Sequence, residues 1–150
     1  MRALLALDPM HVAAGRAAVE RARAQGDLVI GVHVRQGDYA FWEDGRHFYD
    51  DRQYAEMMRA AQAAFSDRTT AFVVCSTEPK TQEAFEGLAV HLAPGDRYGD
   101  LAALAACDRI MGPPSTFSAW ASFVGGAPLA YVLAPADPLT RASFEPWRVT

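Results

Sequence analysis

With 150 residues, 51% of them hydrophobic, the chain has enough apolar material for one domain with a full core, which sets disorder aside as its main state. A formal net charge of -4 and a pI near 5.5 argue against a general nucleic-acid or anionic-membrane binder, so any site for phosphate has to be a local one. The opening Met1 to Pro9 carries a single positive charge and an apolar run too short for a signal sequence or a membrane span, and the expected location is the cytoplasm.

Val12 to Gln25 is rich in Ala and Arg, holds no Pro and is closed by Gly26-Asp27, which predicts a helix within the N-terminal segment 1–27. Leu28 to Val34 is a continuous apolar run of the kind that suits a strand buried on both faces of a parallel sheet. Tyr39 to Asp50 mixes aromatic and charged residues without a period and reads as a loop over the strand end. Asp51 can cap a helix through Phe65, in which Tyr54, Met57, Met58, Ala61 and Phe65 return at helical spacing as a core stripe. Thr70 to Cys75 predicts a second strand, Ser76-Thr-Glu-Pro79 the opening of a short helix, and Ala89 to Leu92 a third strand. After a turn-rich loop from Ala93 to Gly99, the pattern predicts a helix over Asp100 to Cys107, a short strand over Arg109 to Met111, and a helix over Thr116 to Phe123 that Gly125-Gly126 stops. A last strand is expected at Leu129 to Leu133. From Ala134 to the end, Pro135, Pro138 and Pro146 predict an irregular strap over 134–150, with Phe144 and Trp147 as anchors packed on the body.

Strand and helix thus alternate along a chain without repeat or linker, and the expected fold is one α/β domain, a Rossmann-like doubly wound parallel sheet spanning 1–150. Cys75 and Cys107 lie in apolar runs without metal-type spacing and read as buried core thiols, with a disulfide as the alternative.

Two segments stand out chemically. In Gly31-Val-His-Val-Arg-Gln-Gly-Asp-Tyr39 an apolar strand runs into a turn carrying His33, Arg35 and Asp38, at the kind of strand end where open α/β sheets bind ligands. The planar guanidinium of Arg35 is a two-pronged donor suited to phosphate, although an exposed arginine there can equally pair with Asp38 or Glu43. His33 reads either as a strand histidine bonded to a backbone carbonyl or as a ligand contact, and Asp38 with Gly37 as a turn former or a functional group. The second segment runs Tyr98-Gly-Asp-Leu-Ala-Ala-Leu-Ala-Ala-Cys-Asp-Arg-Ile-Met-Gly-Pro-Pro-Ser-Thr-Phe-Ser-Ala-Trp120. Asp100 there is a helix N-cap or a carboxylate that can take both N1–H and the exocyclic amine of guanine. Ser115 and Thr116 open a helix whose unpaired amides and dipole favour an anion, and a plain Ser cap is the simpler reading. Tyr39, Phe41 and Trp42 form either a core rim or an aromatic wall for a sugar or base.

Together the two segments resemble the α-1,2-fucosyltransferase family, which has a His-x-Arg-Arg-Gly-Asp-Tyr strand end, a later short helix beginning Asp-Leu, and a Ser-Thr-Phe-Ser-x-Trp helix start before a Gly-rich turn. The resemblance runs from about Val29 to Tyr131. It implies the C-terminal donor domain of a GT-B-type glycosyltransferase and inverting, metal-independent transfer of L-fucose from GDP-fucose to a sugar hydroxyl of a glycan or lipid-linked saccharide. In that reading His33, Arg35, Asp100, Ser115 and Thr116 bind the donor, Arg35 meets the β-phosphate, and Arg35 with Asp38 carries the chemistry. No cofactor beyond the donor substrate and no nucleic-acid partner are expected. Gln36 stands where the family has its second arginine, one cation fewer near the donor. Family enzymes also have a large N-terminal region on the acceptor side of the cleft, whereas about 28 residues precede the strand here. The expectation is therefore a donor half, either a fragment or a minimal enzyme that borrows its acceptor side from a partner subunit or a second copy, with an inactive GDP-sugar-binding module as the alternative. For the acceptor's proton, Asp38, Glu43 and Asp44 are the nearest acidic groups. Dinucleotide, Walker-type, Asp-x-Asp and Gly-x-Ser-x-Gly signatures are all missing from the sequence.

Overall fold

In a computed structural model, which describes residues 7–146, the apolar run after Gly26-Asp27 becomes the middle strand of the sheet. This strand, β1 (Leu28–Val34), is buried along its whole length, because it has a parallel partner on each edge and helices on each face. Before it comes α1 (Pro9–Arg23), and after it α2 (Asp51–Ala64), β2 (Thr70–Ser76), β3 (Val90–Leu92), α3 (Arg97–Ala106), β4 (Arg109–Gly112), α4 (Thr116–Gly125) and β5 (Leu129–Tyr131). The five strands are all parallel and lie in the order β3-β2-β1-β4-β5.

Strand alternation divides the core into two layers. Leu28, Ile30, Val32 and Val34 of β1 join Tyr54, Met57, Met58 and Ala61, the helical stripe predicted for α2. Val29, on the opposite face, joins Ala18, Val19 and Ala22 of α1, Leu101 and Leu104 of α3, and Ala121 of α4. The chain therefore builds the sheet outward from β1 through β2 to β3, crosses to the other face by α3, and builds outward again through β4 and β5. Helices on both faces and a reversal between β1 and β4 make the fold doubly wound, consistent with a Rossmann-like domain. The C-terminal ends of β1 and β4 diverge at that reversal and leave a crevice.

Several expected boundaries shift, each for a local reason. α1 begins at Pro9 rather than Val12, since Asp8 Oδ1 accepts the Met10 amide at 2.8 Å and proline suits a first helical position. α3 begins at Arg97 rather than Asp100, because Asp96 accepts the Gly99 amide and is its N-cap. The short helix expected to open at Ser76 is instead a 3₁₀ turn at Gln82–Phe85, with Ser76 Oγ taking the Glu78 amide. The loop after β1 contains two 3₁₀ turns, Gly37–Ala40 and Trp42–Gly45, with Glu43 and Asp44 in left-handed conformation. β5 ends at Tyr131, short of the predicted Leu133. The strap is more ordered than its prolines suggest: Leu129 and Glu145 form an antiparallel bridge along the outer edge of β5, and Phe144 packs edge-on against Phe65. Trp147 lies outside the described residues. Cys75 and Cys107 are buried free thiols. No helix among the described residues is long and apolar enough to cross a membrane.

The α1–α3 contact depends on Gly15, where an added Cβ would stand 2.5 Å from the Ala103 backbone nitrogen. Gly15→Ala is expected to push the helices apart and to lower stability by about 1–3 kcal/mol, read as a reduced urea midpoint with little change in slope.

Candidate functional site

The crevice is an open cleft of about 670 Å³, and all six residues singled out from the sequence, His33, Arg35, Asp38, Asp100, Ser115 and Thr116, line it. They arrive from three directions: the end of β1, the start of α4 after β4, and the first turn of α3. Parallel pairing brings these points together, because every strand delivers its C-terminal turn to the same rim.

At the β1 end, His33 is 6% exposed, and its Nδ1 is buried without a hydrogen-bond partner. Burial, with Arg35 adding to it, pulls its pKa down to about 4, so the imidazole is neutral at physiological pH. Its ring lies 5.0 Å from that of Phe117 on α4. Gly112 of β4 lies close against His33 as well, since a Cβ there would meet the His33 carbonyl oxygen at 2.8 Å. Of the two readings, a histidine satisfied by a backbone carbonyl finds no support at Nδ1.

Arg35 adopts the local pairing that the sequence allowed. Its Nη2 donates to Asp38 Oδ2 at 3.0 Å, its guanidinium lies over the Tyr39 ring, and its backbone amide donates to the Tyr54 hydroxyl at 3.1 Å. The pair is surface-accessible, with the Asp38 side chain 68% exposed. An exposed bridge of this type contributes about 1 kcal/mol or less and yields readily to a better anion. Tyr39 is buried, and its hydroxyl donates to the Pro114 carbonyl at 2.7 Å, which ties the turn after β1 to the turn after β4. Trp42 lines the cleft beside Tyr39 at 4.8 Å between ring centres, whereas Phe41 points to solvent away from it.

Gln36 is turned away from the cleft. Its amide nitrogen donates to the Tyr49 carbonyl and to Asp51, and its oxygen accepts from Lys80. Lys80 also donates to Asp51 Oδ1 at 2.8 Å, so this lysine is spent on a knot under the loop and adds no cation to the cleft. Glu43 faces Arg46 and His47 instead, and neither it nor Asp44 lines the cleft.

On the α4 side Ser115 is the N-cap, its Oγ accepting the Phe117 amide at 3.1 Å. Its carbonyl accepts from the Tyr131 hydroxyl at 2.8 Å, which anchors the helix start to β5. Capping and anion binding are compatible, because one side-chain acceptor does not saturate the first-turn donors of a helix.

Of the two readings of Asp100, the N-cap is not realised; Asp96 has that role. Asp100 lies one turn inside α3, 5% exposed, with Oδ1 accepting the Gly95 amide at 2.8 Å. Burial raises its pKa to about 6, the Gly95 amide opposing and Asp96 adding to the shift.

Sequence reasoning missed Arg97, Ser76, Thr77 and Tyr131, which also line the cleft. Arg97 precedes Asp100 by three residues and shares its helix face, a relation visible in the sequence only once the helix is started at Asp96. Compared with protein-family models and with curated proteins, the chain matches no family model and no curated protein.

Asp100 binds protons more tightly in the fold than in the unfolded chain, so stability falls as pH rises from about 4 through about 6 and the cost persists above that. Asp100→Asn, which can keep the Gly95 contact through its oxygen, is expected to stabilise the protein at pH 7.5 by about 1–2 kcal/mol after allowing for screening by solvent in the cleft, and to have little effect at pH 4. Urea denaturation of both proteins at the two pH values checks this.

Proposed function

We propose that the cleft binds GDP-fucose and that the chain is the donor half of a fucosyltransferase-like, GT-B-type glycosyltransferase, moving L-fucose to a sugar hydroxyl of a glycan or lipid-linked saccharide. The observation that carries the reading is the meeting of Arg35, Asp100 and the Ser115-Thr116 helix start in one cleft at the reversal point of the sheet. Residues 65 positions apart in the chain, Arg35 and Asp100, have no local reason to share a cavity.

Each contributes a different part of the recognition. The Asp100 oxygen not engaged by Gly95 accepts from N1–H or the exocyclic amine of guanine, a donor pair that adenine lacks. The diphosphate sits between Arg35 and the amides opening α4, and neutral His33 offers its buried Nδ1 as a further hydrogen-bond site. As the anomeric bond breaks, negative charge grows on the departing β-phosphate while the sugar gains oxocarbenium character. The guanidinium and the helix dipole stabilise that charge in place, without a metal. When the diphosphate takes over the Arg35 fork, Asp38 is released on the same rim as the carboxylate that accepts the proton of the attacking hydroxyl, and inversion follows from attack opposite the leaving group.

A second reading, a GDP-sugar-binding module without transfer, is favoured by one observation: Asp38 and Asp100 are the only carboxylates lining the cleft among the described residues, and Asp38 is tied to Arg35.

Calorimetric titration with GDP-fucose, GDP and ADP is expected to show binding selective for guanine, weakened about tenfold or more by Arg35→Ala. Equal affinity for ADP overturns the guanine assignment. Release of fucose from GDP-fucose, or its transfer to an added glycan, separates the enzyme from the binding module.

A further inference from the structure

The cleft holds a second arginine that the motif resemblance does not account for. Arg97 is the first residue of α3 and lines the cleft together with Arg35 of the turn after β1. Among the described residues it makes no ion pair, although carboxylates stand one residue before it and three after it. Asp96 is occupied by the Gly99 amide and by His11 at 3.5 Å, and Asp100 by the Gly95 amide. Arg97 is exposed, pairs with neither neighbouring carboxylate, and lines the cleft, so its guanidinium is free to meet an anion there.

The charge in the cleft makes the need specific. Among the described residues its charged lining is two arginines and two aspartates, His33 being neutral. Arg35 is partly satisfied by Asp38, and a diphosphate brings at least two negative charges, so one guanidinium leaves much of that charge uncompensated. Position 36, from which the sequence pattern would draw a second cation, is committed to the Lys80–Asp51 knot and does not line the cleft. His33 lines the same cleft, and its buried Nδ1 has no hydrogen-bond partner, an independent sign of an unsatisfied polar group at the site.

We propose that Arg97 is the second arm of a two-arginine clamp, holding the diphosphate of the nucleotide from the α3 wall while Arg35 holds it from the β1 turn. This rests on the nucleotide reading of the cleft and adds to it the residue that replaces the missing cation. The clamp draws its two arms from opposite sides of the cleft rather than from adjacent positions in one turn, so diphosphate binding bridges the β1 turn and α3.

The test is titration of the full chain and of Arg97→Gln and Arg97→Lys with inorganic pyrophosphate, GDP, ADP and guanosine, with thermal melting to show that each variant is folded. Arg97→Gln is expected to weaken pyrophosphate and GDP about tenfold and to leave guanosine unchanged, and Arg97→Lys to recover part of the loss. Undiminished pyrophosphate and GDP binding by Arg97→Gln overturns the clamp, as does an equal loss of guanosine, which would place Arg97 on the base. Pyrophosphate binding that depends on Arg97, together with equal affinity for GDP and ADP, sustains the clamp and removes the guanine reading. A wild-type chain that binds none of the four overturns both.

Discussion

The close approach of β4 to β1 is the contact on which the site depends. β4 is only four residues long, and its last residue, Gly112, lies against His33 so tightly that a methyl group would meet the histidine backbone at 2.8 Å. That contact sets how far apart the two strand ends open. The Tyr39 hydroxyl on the Pro114 carbonyl then fixes the two following turns to each other, and the Tyr131 hydroxyl on the Ser115 carbonyl fixes the start of α4. Two phenolic hydrogen bonds and one absent side chain thus hold Arg35 and the helix amides on opposite lips of one opening.

Inside that opening the electrostatics are poised rather than satisfied. Arg35 and Asp38 neutralise each other near solvent, where the pairing is weak. Asp100 is buried with one backbone donor and no cation, which lifts its pKa to about 6; His33 is buried without a partner for Nδ1, which lowers its pKa to about 4. Such groups cost stability, and their gathering in one cleft is the pattern that marks candidate functional sites. Elsewhere the chain does the opposite: the Lys80–Asp51–Gln36 knot and the Arg23–Asp108 pair each give buried or half-buried charge its partner.

Much of the fold was legible because its signals are local. The continuous apolar run of β1, the helical stripe of α2 and the glycines after α4 each follow from periodicity or backbone geometry within a dozen residues. The misreadings arose where two local signals competed. Asp96 and Asp100 are both credible helix caps, and only the hydrogen bond to the Gly99 amide shows which of them caps. Ser76-Thr-Glu-Pro79 is a sound helix opening by composition, but Ser76 Oγ takes the Glu78 amide and the chain turns instead. The strap was expected to be irregular, because its pairing with β5 is non-local and leaves no periodic trace.

By itself the sequence determined an α/β chain, the strand whose end carries His33 and Arg35, and the short list of polar residues at strand ends and helix starts. These are consequences of side-chain chemistry and local period, which travel with the sequence. Only the tertiary structure decided that those residues share one cleft, that Gln36 faces away from it, that Arg35 is paired with Asp38, and that Arg97 joins them. Such outcomes depend on strand order and on which side of a loop a side chain is buried. Contacts across tens of residues set both, through close packing that no local pattern encodes.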